Sequence, residues 1–210
     1  MSADSPPSRS SLLAGLGRRI FGWRLMVGLA VALGGIEWLT PEPFFAPGHR
    51  VSQCLAILFA LVGLALRAWG SGCAGRHTTT AKIEAPRLVT GGPFAYLRNP
   101  IYAGTICLGF GMAALIGDPR AYFLAALAFV FLYVGIVPAE EEFLRKQFGE
   151  AYAQYCAAVP RFLPRLRPWP GQVRQAFHWR AARGELATLC WATGIYLALL
   201  GEEWFDKVIG

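Results

Sequence analysis

YLRNPIYAGTICLGFGMAALIG, Tyr96–Gly117, sets a cation, an amide and two tyrosines directly before a long apolar run. Pro100 suits the first turn of a helix, where its missing N–H would lack a partner in any case. Asn99 then falls at or near the N-cap, beside free N–H donors and the positive end of the helix dipole. An anionic ligand group can bind at such a place. A plainer reading stays open: Asn99 only caps, Arg98 meets lipid phosphate, and Tyr96 and Tyr102 belong to an interfacial aromatic belt.

The run after Pro100 is one of several. A spanning helix needs about 20 apolar residues, and five blocks come near that: Ile20–Leu39, Val51–Trp69, Ile101–Gly117, Tyr122–Val137 and Leu186–Leu200. The 210 residues are 55% hydrophobic and 16% charged, against about 25% charged in soluble domains. The chain therefore reads as an all-α, polytopic membrane helix bundle of about five transmembrane helices, with no separate soluble domain. Its net charge of +7 comes from basic residues between the apolar blocks, which face lipid headgroups more naturally than nucleic acid. Cys54, Cys73, Cys107, Cys156 and Cys190 form no Cys-x-x-Cys pair and no zinc spacing with histidine, so no metal site is expected and the thiols read as free, mostly buried filler.

The connecting segments alternate in charge. Thr40–Arg50 and Gly117–Arg120 are short and nearly free of cations, while Gly70–Pro100 carries Arg76, Lys82, Arg87 and Arg98, and Ala139–Glu185 carries eight basic residues. The positive-inside rule puts the two long segments and the N-terminus in the cytoplasm. Residues 1–19 read as a cytoplasmic arm rather than a signal peptide, 20–70 as two helices, 71–168 as a core, and 169–210 as a connector, a last helix and a tail. His77 reads as an exposed loop residue, Glu37 as an interfacial acid near Arg50, and Gly28, Ala32 and Gly35 as a small-residue packing face.

The second polar segment is VPAEEEFLRKQFGEAYAQYCAAVPRFLPR, Val137–Arg165. Carboxylates at a membrane boundary are functional candidates, although an acidic helix start also suits the dipole. Glu140 and Leu144 share a helical face while Glu141 looks elsewhere, so the three acids cannot all do the same work. Phe148, Tyr152 and Tyr155 recur at helical spacing and read as packing.

Taken together, LVTGGPFAYLRNPIYAG, EEEFL, FGEAYAQY and VPRFLP resemble the isoprenylcysteine carboxyl methyltransferase family and its phospholipid methyltransferase relatives, over about Gly70–Arg165. The resemblance implies a membrane enzyme that uses S-adenosylmethionine, with membrane lipids and a lipophilic methyl acceptor as partners and an active site facing the cytoplasm. It implies cofactor contacts from Arg87, Leu88, Val89 and Phe94, a wall continued by Asn99, Pro100, Ile101 and Tyr102, and an ammonium-binding carboxylate at Glu140. Arg98, Glu141 and Arg161 are the catalytic candidates: Glu141, or a tyrosine, as a base for an amine acceptor, and Arg161 as a substitute cation or, equally, a headgroup or helix-end contact. Two positions depart from the carboxyl methyltransferases, Asn99 where they carry His and Ile136 where prenylcysteine enzymes carry a substrate-binding Arg. The alternatives are a sterol reductase-like membrane enzyme using NADPH and a non-catalytic lipid-binding protein; the EEEFL and FGEAY elements favour methyl transfer.

Overall fold

Small residues decide how the first described helices meet. In the computed structural model, which describes residues 38–42, 48–75 and 87–209, α1 is Arg50–Ala74 and α2 is Pro100–Ile116. The 25 residues of α1 span about 37 Å at 1.5 Å each, enough for a hydrocarbon layer of about 30 Å. A Cβ placed on Gly63 would stand 2.6 Å from the Gly104 carbonyl oxygen, and one on Gly111 would stand 2.8 Å from Ala60 Cβ. The two backbones are in contact, which is how helices gain dispersion energy where lipid removes any hydrophobic driving force. This is the most extensive helix pair among the described elements. α2 begins at Pro100, as expected, and stops at Gly117, whose φ of 80° lets its N–H reach the Ala113 carbonyl.

The fourth and fifth apolar blocks run further than the sequence suggests. α3, Pro119–Phe131, passes through a π turn at Leu132–Ile136 into α4, Val137–Ala158, so the expected span Tyr122–Val137 and the acidic helix are one rod. Pro138 cannot donate a helical hydrogen bond and its ring crowds the preceding turn; a wider turn just before it accommodates both defects. Gly149, with φ 50° and ψ −122°, then bends α4 in a conformation that favours glycine. After the short α5, Trp179–Arg183, α6 runs Glu185–Ile209.

Three helical stretches are long and apolar enough to cross a membrane, Arg50–Ala74, Pro119–Ala158 and Trp179–Gly201, and α2 is a shorter apolar helix. No strand occurs among the described residues: the fold is an all-helical membrane bundle. Most of the first block, with Glu37 and the Gly28, Ala32 and Gly35 face, lies outside the described residues, as do Arg76, His77 and Lys82. Large apolar side chains such as Leu55, Leu58, Phe123 and Trp191 point outward, as lipid-facing positions require. Cys73 is buried, but Cys54 and Cys190 are exposed, so the expectation of mostly buried thiols fails: a weakly polar thiol is as acceptable against lipid as in a core.

The helices alternate in direction, which gives the bundle two distinct ends. At one, Ala56, Ala113, Leu115, Ile116, Ala121, Tyr196 and Leu199 form an apolar core. It is capped by Asp118, which accepts from Thr40 N–H at 2.8 Å and from the Arg120 guanidinium at 2.6 Å. The Arg120 hydrogen bonds hold the Asp118 carboxyl well below the usual carboxylate range. At the other end, Tyr152, Tyr155 and Val159 pack with Leu88, Phe148 and Trp169, confirming the packing role expected of those aromatics. The two polar segments meet there.

Candidate active site at the polar end

The chain from 88 to 99 has little regular structure of its own, so its backbone groups need partners elsewhere. After a short 3-10 turn, Gly92–Ala95, it finds them in the segment that follows α4. Arg98 N–H donates to the Pro160 carbonyl at 2.8 Å, Arg165 N–H to Tyr96 at 3.0 Å, and Trp169 N–H to Ala95 at 2.9 Å. Val173 N–H donates to Thr90 Oγ1 at 3.0 Å, and Gln175 Nε2 to the Leu88 carbonyl at 3.2 Å. Tyr155 OH closes the lacing on the Phe94 carbonyl at 2.8 Å. Gly92, with φ 63°, lies so close to α1 that a Cβ would stand 2.5 Å from Cys73 Sγ.

Successive helical residues point about 100° apart, and the three acids at the start of α4 accordingly find three environments. Glu140 Oε1 accepts from Tyr102 OH at 2.6 Å. Glu142 pairs with Lys146 at 2.7 Å near the surface. Glu141 is buried, 5% exposed, and takes two hydrogen bonds from Arg161, Nε to Oε1 at 3.1 Å and NH2 to Oε2 at 2.5 Å. Arg98 NH1 stands 3.7 Å from Glu141 Oε1, and Asn99 Nδ2 reaches that oxygen at 3.5 Å. The structure thus gathers Arg98, Asn99, Tyr102, Glu140, Glu141 and Arg161 in one cluster.

Several details correct the sequence reading. Asn99 holds the N-cap position, but its side chain makes no capping hydrogen bond; its amide turns to Glu141 and the Arg161 carbonyl instead. Arg161 is bound to Glu141, which raises its pKa further, and its guanidinium lies 5.6 Å from the centre of the Tyr133 ring; it is not a free cation awaiting an acceptor. Ile136 is buried at 2% exposure, so the position where prenylcysteine enzymes carry Arg is apolar packing here. Arg87 does not join the cluster: it is exposed, 3.4 Å from His178 Nε2. Val89 is half-buried on the laced segment, Pro100 is buried, and Ile101 packs its side chain toward Gly70. The Nε of Arg98 is buried and has no hydrogen-bond partner among the described residues.

A second buried ion pair escaped the sequence reading. Arg67 Nε donates to Glu185 Oε2 at 2.7 Å, Ser71 Oγ to Glu185 Oε1 at 2.7 Å, and Thr188 Oγ1 to Glu185 Oε2 at 3.0 Å. Arg67 NH1 also donates to Thr105 Oγ1, which itself bonds the Ile101 carbonyl at 2.9 Å. This knot ties α1, α2 and α6 together about one turn deeper than the start of α2. The missed signal was Arg67 itself, a lone cation in an otherwise apolar block, which is costly in lipid unless paired.

A membrane helix bundle whose paired carboxylates meet an Arg-Asn-Pro-x-Tyr helix start resembles the membrane methyltransferases. The phospholipid methyltransferase family model matches residues 51–151. The chain is 29% identical over 191 residues to the cobalt-zinc-cadmium resistance protein CzcN of Cupriavidus metallidurans, covering 90% of this chain and 82% of that protein. It is 26% identical to the nickel-cobalt-cadmium resistance protein NccN of Alcaligenes xylosoxydans xylosoxydans, covering 88% and 83%. It is 27% identical to protein-S-isoprenylcysteine O-methyltransferase B of Arabidopsis thaliana, covering 65% and 72%. No solved structure matches. These matches bear out the resemblance carried by the motifs: the chain is similar to the isoprenylcysteine carboxyl methyltransferases and phospholipid methyltransferases, and the activity class they support is methyl transfer at a membrane.

Proposed function

We propose that the polar end of the bundle binds S-adenosylmethionine and methylates a lipophilic acceptor that enters from the bilayer, with this end facing the cytoplasm. The observation that carries the reading is the single cluster formed by Glu140 with Tyr102 and by Glu141 with Arg98, Asn99 and Arg161, which joins two segments distant in the chain. The donor set suits this cofactor. Glu140 carries the charge that an ammonium requires, and the buried Nε of Arg98, without a partner among the described residues, is a donor for an anionic group. When bound, the cofactor supplies an activated methyl group on a sulfonium.

The residues of this chain bind, orient and exclude water. Glu140, oriented by the Tyr102 hydroxyl, holds the ammonium. Glu141, held by Arg161, fixes the guanidinium of Arg98 and the amide of Asn99, so that these two donors meet a ligand with little reorganisation. Leu88, Val89 and Phe94, on the laced segment, with Pro100, Ile101 and Tyr102, form the wall; alignment and a dry site are what methyl transfer from a sulfonium asks of a protein. The acceptor is lipid-like, and the buried Ile136 weighs against a prenylcysteine carboxylate. Direct metal binding, which the names of two relatives bring to mind, draws no support from the described residues, among which no three His, Cys, Asp or Glu gather.

Calorimetry of the detergent-solubilised protein with S-adenosylmethionine tests this. Saturable binding is expected, weakened roughly 10- to 100-fold by Glu140→Ala, the worth of one charge-assisted hydrogen bond, and unchanged by Glu150→Ala on the exposed face of α4. No binding, or binding of a nicotinamide nucleotide instead, overturns the reading. Labelled cofactor incubated with membrane lipid extract would then identify the acceptor by the polarity of the labelled product.

A further inference from the structure

Residues 161–184 contain Arg161, Arg165, Arg167, Arg174, Arg180 and Arg183 and no acid. Two of these arginines turn inward, Arg161 to Glu141 and Arg165 to the Ala158 carbonyl at 3.1 Å. Arg167, Arg174, Arg180 and Arg183 are exposed. Interleaved with them, and equally exposed, are Leu163, Leu166, Val173 and Trp179; Leu166 is 100% accessible. Arginines mixed with outward apolar and aromatic side chains suit the layer where headgroups meet acyl chains. The segment also lies at the right level, since it leads directly into the candidate span Trp179–Gly201.

We propose that residues 161–184 are a membrane-surface strap that seats on anionic lipid headgroups through Arg167, Arg174, Arg180 and Arg183, and thereby orders the segment 88–96. The charge complement is four exposed cations with no acid among them, which an anionic leaflet attracts and a zwitterionic one does not. The exposed Leu163, Leu166 and Trp179 favour a bilayer over free phosphate or nucleic acid, because only the bilayer removes them from water. The coupling to 88–96 is direct: the strap holds that segment by the bonds from Arg165 to Tyr96, Trp169 to Ala95, Val173 to Thr90 and Gln175 to Leu88. A strap pinned on its lipid side opens less often, and the segment laced to it opens with it.

The test is amide hydrogen exchange on the full chain in nanodiscs of phosphatidylcholine alone or mixed equally with phosphatidylglycerol, without a methyl donor, so that its outcome does not depend on the proposed reaction. In the anionic discs, exchange across 161–184 and 88–96 should slow by about tenfold or more, while α2 is unchanged. The variant R167Q/R174Q/R180Q/R183Q should abolish the difference, and R145Q, an exposed arginine on α4, should keep it. If the quadruple variant does not fold, R174Q/R180Q should lose a clear part of the protection. Equal exchange in both discs, protection that survives the arginine substitutions, or the same protection from inorganic phosphate added to phosphatidylcholine discs would overturn the proposal.

Discussion

Glu141 and Glu185 are both buried carboxylates facing arginine, at 5% and 7% exposure, yet their surroundings differ in kind. Glu185 has one cation, Arg67, and two hydroxyl donors, and the cation is itself held by Thr105. Charge there is balanced one to one and each carboxylate oxygen has a short bond. Glu141 has two guanidiniums and an amide around it; Arg161 binds tightly, while Arg98 and Asn99 stand off at 3.7 and 3.5 Å. Arg98 Nε is left without a hydrogen bond among the described residues. Burial alone therefore does not distinguish a structural knot from a binding site. The stood-off and unsatisfied donors around Glu141 are what mark it as the candidate.

The contrast breaks most visibly at Glu185. Removing one partner of a buried pair strands the other charge at a cost of about 3–5 kcal/mol, whereas replacing both by apolar residues is often neutral. Arg67→Met should therefore collapse the thermal melt in detergent, and Arg67→Met/Glu185→Met should restore most of it. A double variant no better than the single one would mean that the hydroxyl network, not the charge pair, holds α6. The next largest effect is steric. Gly104→Leu places a side chain where a Cβ already meets the Gly63 carbonyl oxygen at 2.5 Å, and overpacking of this kind costs about 1–3 kcal/mol. A melt unchanged by that substitution would contradict the close α1–α2 pairing.

The smallest effect lies at the opposite end of the bundle. Asp118 has its pKa depressed in the folded protein by the Arg120 hydrogen bonds. Its contribution is therefore fully present above the unfolded carboxylate value, about 3.9, and fades as pH falls from there toward the folded value. The wild-type melt should drop progressively below about pH 4, and Asp118→Asn should flatten that acid limb while lowering stability near neutrality by about 1 kcal/mol. An acid limb of the same slope in both proteins would remove Asp118 as its source.

Much of this was legible before any coordinates. The apolar blocks announced a helical bundle, Pro100 fixed the start of α2, and two polar segments marked one end as the place for chemistry. The meeting of the two polar segments was suggested only by the family pattern, and that Asn99 reaches Glu141 in particular was not, since no local rule connects residues 42 apart. The continuity of α3 with α4 was hidden because Pro138 reads as a helix start, and nothing local announces a π turn. The strap was hidden for a different reason: it is held mainly by backbone N–H and carbonyl groups, which every residue possesses. Glu185 and Arg67, 118 positions apart, each looked like the polar margin of an apolar block.

A titration of S-adenosylmethionine onto two variants compares the carboxylates directly, with each melt recorded alongside. Glu141→Gln should abolish binding or weaken it more than about tenfold, while Arg67→Met/Glu185→Met, stable once both charges are gone, should bind like the wild type. Wild-type affinity in Glu141→Gln, or equal loss in both variants at equal stability, would contradict the assignment of the cofactor site to the Glu140 and Glu141 end of α4.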